Sequence, residues 1–231
     1  MSFLLKNIES IKQNLRLAAK RADRDLSEIA LIAITKTRPV HLIRQAVEIG
    51  IKHIGENRVQ EFQKKSPLLN DLPVTRHLVG HLQTNKVKYA LELFDCIHSV
   101  DSLRLAEAIS RHAEKIGREE VRILIQVNTS GEASKFGVEP DRAEELVRCV
   151  SRLPGLHIFG LMTIGAFVID PEIVRPMFSR LRQLRNHISG LGLPRVDMTH
   201  LSMGMTNDYM VAVEEGATLV RIGTAIFGQR R

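Results

Sequence analysis

ALIAITK, residues 30–36, is the stretch from which the fold is read. Five apolar residues and a threonine run into one lysine, the pattern of a short strand buried on both faces. Pro39 then stands at an expected helix start and Gly50 at its end, a placement that suits helix termini. The same unit, a β-branched run followed by a stretch of helical period, recurs along the chain. The further runs are Lys52–Gly55, His77–Gly80, Phe94–Val100, Val121–Val127, Leu156–Met162, Val196–Leu201 and Thr218–Ile222. Helices are expected from near Asn57, from Asn85, after Asp101 as a cap, and from Pro140. Another follows Asp170-Pro171 and buries Val174, Met177, Phe178, Leu181, Leu184 and Ile188.

Ahead of the first unit, Leu4, Ile8, Ile11, Leu15 and Ala18 or Ala19 step by three and four, one face of an additional helix. About eight strand-then-helix units without a low-complexity linker imply parallel strands joined by crossovers. Residues 1–231 are therefore read as one α/β domain, a (β/α)8 barrel of TIM type with an extra N-terminal helix. An open doubly wound sheet is the rival architecture.

Composition narrows the function. A hydrophobic content of 44% with 26% charged residues is that of an ordinary globular chain. Cys96 and Cys149 are read as buried thiols of a reducing compartment, with no metal-ligand spacing around them. The absence of a bilayer-length apolar run or a leader-like start gives the expectation of a cytoplasmic protein without membrane contact. The net charge of +7 attracts anions in general. Arg175, Arg180, Arg182 and Arg185 stand close together with no acid among them, a candidate interaction surface. Aromatic residues total only 4%, too few for the stacking that nucleic-acid binding uses, so nucleic acid is excluded as a partner.

In a barrel, chemistry gathers at the C-terminal ends of the strands. Those positions hold Lys36, Glu56 and Asn57, His81, Ser99, Asn128, Thr163, Ser202 and Gly223-Thr224, with Arg221 just before the last pair. An ammonium closing a buried strand is partly desolvated, which enlarges the neutral fraction that attacks a carbonyl. Position alone also fits a lysine that reaches solvent. Ser202, Gly223 and Thr224 follow the last two strands, where barrels commonly bind phosphate through backbone N–H groups. An imine-forming lysine beside a phosphate site suggests a ligand with an aldehyde and a phosphate, which pyridoxal phosphate satisfies. Alternation on the last strand turns Arg221 inward between Val220 and Ile222.

Eight segments carry a resemblance: AITKTRP at 33–39, HIGENRVQE at 53–61, HLVGHLQTNKVK at 77–88, IHSVDS at 97–102, IQVNTSGEASKFG at 125–137, GLMTI at 160–164, LSMGMTNDY at 201–209 and VRIGTAIFG at 220–228. In this order they resemble the pyridoxal 5′-phosphate homeostasis proteins (the YggS/PROSC group), related to the barrel domain of alanine racemase. The resemblance implies a fold type III barrel with the cofactor on Lys36 as a Schiff base. It further implies phosphate contacts from Ser202, Gly223 and Thr224, Arg221 facing the pyridine nitrogen, and Asn57 lining the cofactor. Pyridoxal-phosphate-dependent apo-enzymes are the implied protein partners. A monomer is expected, because the second, β-rich domain of the racemases is missing.

Three functions follow from these residues. A carrier without turnover fits an arginine at the ring nitrogen, since a donor-only group leaves that nitrogen unprotonated and the ring a weak electron sink. An amino-acid racemase needs a second base; Tyr89 and Tyr209 are placed away from strand ends, and His81 is the remaining candidate. A Schiff-base aldolase acting on a sugar phosphate would use the same lysine and phosphate site. Lys135 is a candidate second lysine for cofactor release.

Overall fold

The structure, a computed structural model, describes residues 2–229. Its elements in order are α1 (Phe3–Arg21), β1 (Ala30–Ile34), α2 (Val40–Glu48), β2 (His53–Glu56), α3 (Val59–Lys65), β3 (Thr75–Leu78), α4 (Val87–Leu93), β4 (Cys96–Val100) and α5 (Leu103–Lys115). They continue with β5 (Val121–Gln126), α6 (Pro140–Val150), β6 (Leu156–Met162), α7 (Arg175–Ser189), β7 (Val196–Ser202), α8 (Tyr209–Glu214), β8 (Leu219–Ile222) and α9 (Thr224–Phe227). All eight strands pair in parallel and in sequence order, and β8 returns to β1 with Ile32 opposite Arg221. The sheet closes into a barrel, which removes the open-sheet alternative.

Two apolar layers hold it together. Ile32, Ile34, Val79, Cys96, Leu124, Met162 and Leu219 pack against one another inside the barrel. A larger core fills the shell between strands and helices, where Ala33, Ile54, Ile97, Ile123, Leu161 and Val220 are buried. Successive strand residues enter alternate layers, as the period of two requires. Each side chain fully withdrawn from water there contributes roughly 1.5–3 kcal/mol. The N-terminal helix buries the face read from the sequence, Leu4, Ile8, Ile11, Leu15, Ala18 and Ala19. It is stitched to the end of the chain: Asn7 Nδ2 donates to the Ile226 carbonyl at 2.9 Å, and Asn14 Nδ2 to the Tyr209 hydroxyl at 2.9 Å. Among the described residues no helix is long and apolar enough to cross a membrane.

Several boundaries and caps differ from the sequence reading. The third strand begins at Thr75 and ends at Leu78, because the chain turns away at Gly80. A Cβ at Gly80 would stand 2.1 Å from the Asn57 carbonyl oxygen, so the β2 and β3 loops cross there in backbone contact. The helix expected from near Asn57 starts at Val59. Ser102, not Asp101, occupies the cap of α5; the Asp101 carboxylate lies 3.6 Å from His81 Nδ1 instead. Asp170 caps a single 3-10 turn, Pro171–Val174, that precedes α7. Met177 and Leu184 are half-buried, and so is Cys149.

The basic helix is not an unpaired patch. Arg175 reaches Glu172, Glu214 and Glu215, Arg182 reaches Glu215, and Arg180 reaches Asp141. Three of the four cations are neutralised by acids that lie far along the chain or just before the helix. Arg185 donates to Asn186 and the Met198 carbonyl.

Candidate functional site

Lys36 lies two residues beyond β1, in a tight turn closed by the Arg38 N–H donating to the Thr35 carbonyl at 3.0 Å. Thr37, the next residue in that turn, has φ of +62°, a conformation that costs a β-branched residue on the order of 1–3 kcal/mol. The strain persists because neighbouring groups fix the turn from below. Lys65 Nζ donates to the Thr35 carbonyl at 2.8 Å, to Glu56 Oε1 at 2.7 Å and to Glu61 Oε1 at 2.6 Å. Thr35 Oγ1 donates to Glu56 Oε1 at 2.9 Å, and Glu61 in turn accepts the Thr37 N–H. Glu56 is fully buried, and burial pushes its carboxyl above the usual range although Lys65 and Thr35 pull the other way. This clamp is absent from the sequence reading, which sees Glu56 only as a strand-end residue.

Lys36 opens into a cavity of about 380 Å³ at the C-terminal mouth of the barrel. Arg221, Gly223 and Thr224 share its wall, so four of the six candidate residues meet there. The volume lies within the range of small-molecule pockets. Gly223 presses close to β1: a Cβ there would sit 3.3 Å from Ile34 Cβ and 3.4 Å from the Ile34 carbonyl oxygen, inside or at the limit of comfortable contact. The one-turn helix α9 starts immediately after it. Its first N–H groups have no intrahelical acceptor by position, so an anion at this wall would meet backbone donors.

Arg221 is held from behind. One guanidinium nitrogen donates to Ser202 Oγ at 2.6 Å and another to the Thr163 carbonyl at 2.8 Å. Burial lowers its pKa to about 10, with Asp208 opposing the shift, and it stays a cation at neutral pH. Asp208 lines the same cavity and accepts the Met205 N–H; burial raises its carboxyl above the usual range. Asp208 has no strand-end signal in the sequence, since it falls seven residues past Leu201 in a segment with no strand period.

The remaining candidates lie elsewhere. Ser202 is fully buried, its hydroxyl engaged by Arg221 and by His98 Nδ1 at 2.9 Å, and it does not line the cavity. Asn57 borders a different, more open cavity of about 700 Å³ together with Glu61, Lys64, His81 and Lys86. His81 stacks on Phe136, ring centroids 3.9 Å apart, and faces that second cavity. Tyr209 is buried with its hydroxyl against α1, and Tyr89 is exposed on α4. Lys135 donates to Glu132 and to the Gly165 carbonyl, at the edge of the loop that borders the first cavity. Among the described residues, the ionisable side chains lining the Lys36 cavity are thus Lys36, Asp208 and Arg221.

Fold and site together define a parallel β/α barrel with a lysine, an arginine and a Gly-Thr turn around one pocket at the strands' C-terminal ends. The chain belongs to the alanine racemase N-terminal domain family, whose model matches residues 7–231, and within it to the pyridoxal phosphate homeostasis proteins. The protein of that name from Aquifex aeolicus is 43% identical over 97% of this chain and 97% of its own length. PipY of Synechococcus elongatus, solved with pyridoxal phosphate bound, is 38% identical with a TM-score of 0.80 and covers 93% of this chain and 99% of its own. A Bifidobacterium adolescentis protein described as unknown superposes with a TM-score of 0.91 at 38% identity, over 97% of this chain and 94% of its own.

Proposed function

We propose that this chain binds pyridoxal 5′-phosphate reversibly at the Lys36 cavity and serves its homeostasis, as a carrier without catalytic turnover. The observation that carries the reading is the convergence of Lys36, Arg221, Gly223 and Thr224 on one pocket of about 380 Å³. Lys36 would hold the cofactor, whose aldehyde would supply the carbonyl for a Schiff base with the neutral amine, one water leaving. The chain's own residues do the rest. The clamp of Glu56, Glu61 and Lys65 fixes the turn that presents Lys36. Gly223 and Thr224 offer backbone and hydroxyl donors to the phosphate. Arg221, a cation that cannot accept a hydrogen bond, would hold the ring nitrogen by donating to it, which would keep that nitrogen unprotonated.

The carrier reading is preferred over the racemase because no tyrosine or histidine faces Lys36 across the cavity among the described residues. Asp208 is the one carboxyl there, and it already accepts the Met205 N–H. The names of the relatives support the same choice. Pyridoxal-phosphate-dependent apo-enzymes are the proposed recipients.

The test is a visible spectrum of the purified chain with added pyridoxal phosphate, before and after borohydride reduction, with peptide mass mapping. The expected outcome is an imine band that reduction bleaches, with the label on Lys36, and no such band in Lys36→Ala. A label on another lysine, or no band at all, sinks the assignment. Interconversion of D- and L-amino acids in proportion to protein, lost in Lys36→Ala, would instead make the chain an enzyme.

A further inference from the structure

A line of hydrogen-bonded side chains crosses the barrel from one mouth to the other. His53, the first residue of β2, is half-buried at the N-terminal end. Its Nδ1 lies 3.1 Å from His77 Nε2, and His77 Nδ1 lies 2.9 Å from His98 Nε2. His98 Nδ1 lies 2.9 Å from Ser202 Oγ, which receives Arg221 at 2.6 Å. His77, His98, Ser202 and Arg221 are all buried. Strand order explains the line: β2, β3 and β4 are adjacent, and their inward positions bring the three imidazoles side by side.

One group fixes the direction of every bond. A guanidinium only donates, so Ser202 Oγ accepts from Arg221. The hydroxyl has one hydrogen, and its other side-chain partner is His98 Nδ1. Pointing that hydrogen elsewhere would leave a buried donor unmade, which is the expensive alternative. His98 therefore accepts at Nδ1 and carries its hydrogen on Nε2, where it donates to His77 Nδ1. The same step repeats from His77 Nε2 to His53 Nδ1. All three rings are then neutral and of one tautomer.

We propose that this line is a positioning relay, in which His98 and His77 act through Ser202 to hold the Arg221 guanidinium aimed into the Lys36 cavity. Its bearing on the cofactor rests on the pyridoxal phosphate reading; the order of its hydrogens does not. The surroundings favour neutral rings. Burial first, then the neighbouring imidazoles and, at His98, Arg221, hold His77 at about 3 and His98 well below its usual value. Lys52 beside His53, His200 on β7 and Arg221 itself all disfavour an added proton on the line.

A competing use of the same atoms exists. Cys96 and the imidazoles of His77 and His98 have ligand atoms within 4.8 Å of one another, a possible seat for a thiophilic metal ion. The facing nitrogens of the two rings are already 2.9 Å apart and bonded to each other. A metal there would cut the relay at its centre, so the two readings exclude each other.

The deciding experiment is nitrogen-15 NMR of the histidine and arginine side chains in the full chain, before and after addition of pyridoxal phosphate. At pH 7 His53, His77 and His98 are expected as neutral Nε2–H tautomers. Arg221 is expected to show resolved guanidinium N–H signals that exchange slowly. In His98→Leu those signals should exchange at least tenfold faster and pyridoxal phosphate affinity should fall about tenfold. His98→Asn, whose amide oxygen can accept from Ser202, should restore both. Should His98→Leu not fold, His77→Gln takes its place, with a smaller rise in exchange. An Nδ1–H tautomer at His98, a charged His77, uptake of one zinc per chain with loss of Cys96 thiol reactivity, or unchanged Arg221 exchange overturns the relay. If the unmutated chain takes up no pyridoxal phosphate, the functional reading fails while the imidazole and guanidinium spectra still decide the relay.

Discussion

The two walls of the Lys36 cavity are built on opposite principles. The wall from β1 and β8 is braced at three of its four candidate residues. Lys36 sits on a turn clamped by Lys65, Arg221 is held by Ser202 and the Thr163 carbonyl, and Gly223 is pressed to within contact of Ile34. The facing wall, from the loops after β6 and β7, is looser at one place: Phe167 is 91% exposed, while Ala166, Val168 and Met205 beside it are half-buried. The first wall is tied down by hydrogen bonds and close packing, and the second is open to solvent at Phe167. The proposed carrier role draws on both, a fixed seat and an accessible one.

The contrast breaks most sharply at Lys65. Lys65→Met leaves Glu56 fully buried without its cation, and such removal costs about 3 kcal/mol or more. Urea unfolding should show that loss, and the double change with Glu56→Gln should recover a large part of it. A cost below about 1 kcal/mol would mean that the clamp does not brace the turn.

Acid should weaken the braced side next. His77 and His98 are held below the ordinary value of 6.5, the former to about 3, mainly by burial. In that window the unfolded chain binds protons that the folded chain refuses, so stability falls as pH drops from about 6.5 towards 3. The slope is up to about 1.4 kcal/mol per pH unit for each histidine. Glu56, raised by burial, works the other way just above the carboxylate range. Urea midpoints at pH 7, 6 and 5 should decline, and less steeply in His98→Leu; a flat series contradicts the buried neutral rings.

The smallest expected effect lies on the open wall. Phe167→Ser should leave stability within about 0.5 kcal/mol, as exposed sites do, while changing the release rate of pyridoxal phosphate a few-fold in stopped flow. A large loss of stability there would show that the second wall is packed after all.

Sequence period made the barrel legible because each buried strand is a short β-branched run and each helix has its own stripe. The ends of β3 slipped by two residues because Val79 and Gly80 prolong the apolar run past the last strand residue. Lys36, Gly223 and Thr224 could be picked out because they follow strands directly, and Arg221 because alternation turns it inward. Asn57 and Ser202 also stand at strand ends, yet one turns to a neighbouring cavity and the other into the barrel. Strand-end position does not encode that choice; tilt and register do. The Lys65 clamp joins residues of three elements, and the histidine line needs three strands side by side. Neither has a local pattern to read.

The stitch between α1 and the last helix has a consequence for synthesis. The bond from Asn7 to Ile226 spans 219 residues, and β1 must likewise wait for β8. During translation at about 5–20 residues per second, the first helix emerges roughly ten to forty seconds before its docking surface exists. Through that interval the stripe from Leu4 to Ala19 has no native cover, and a nascent chain stalled late is the form most exposed to sticking to its neighbours on a polysome.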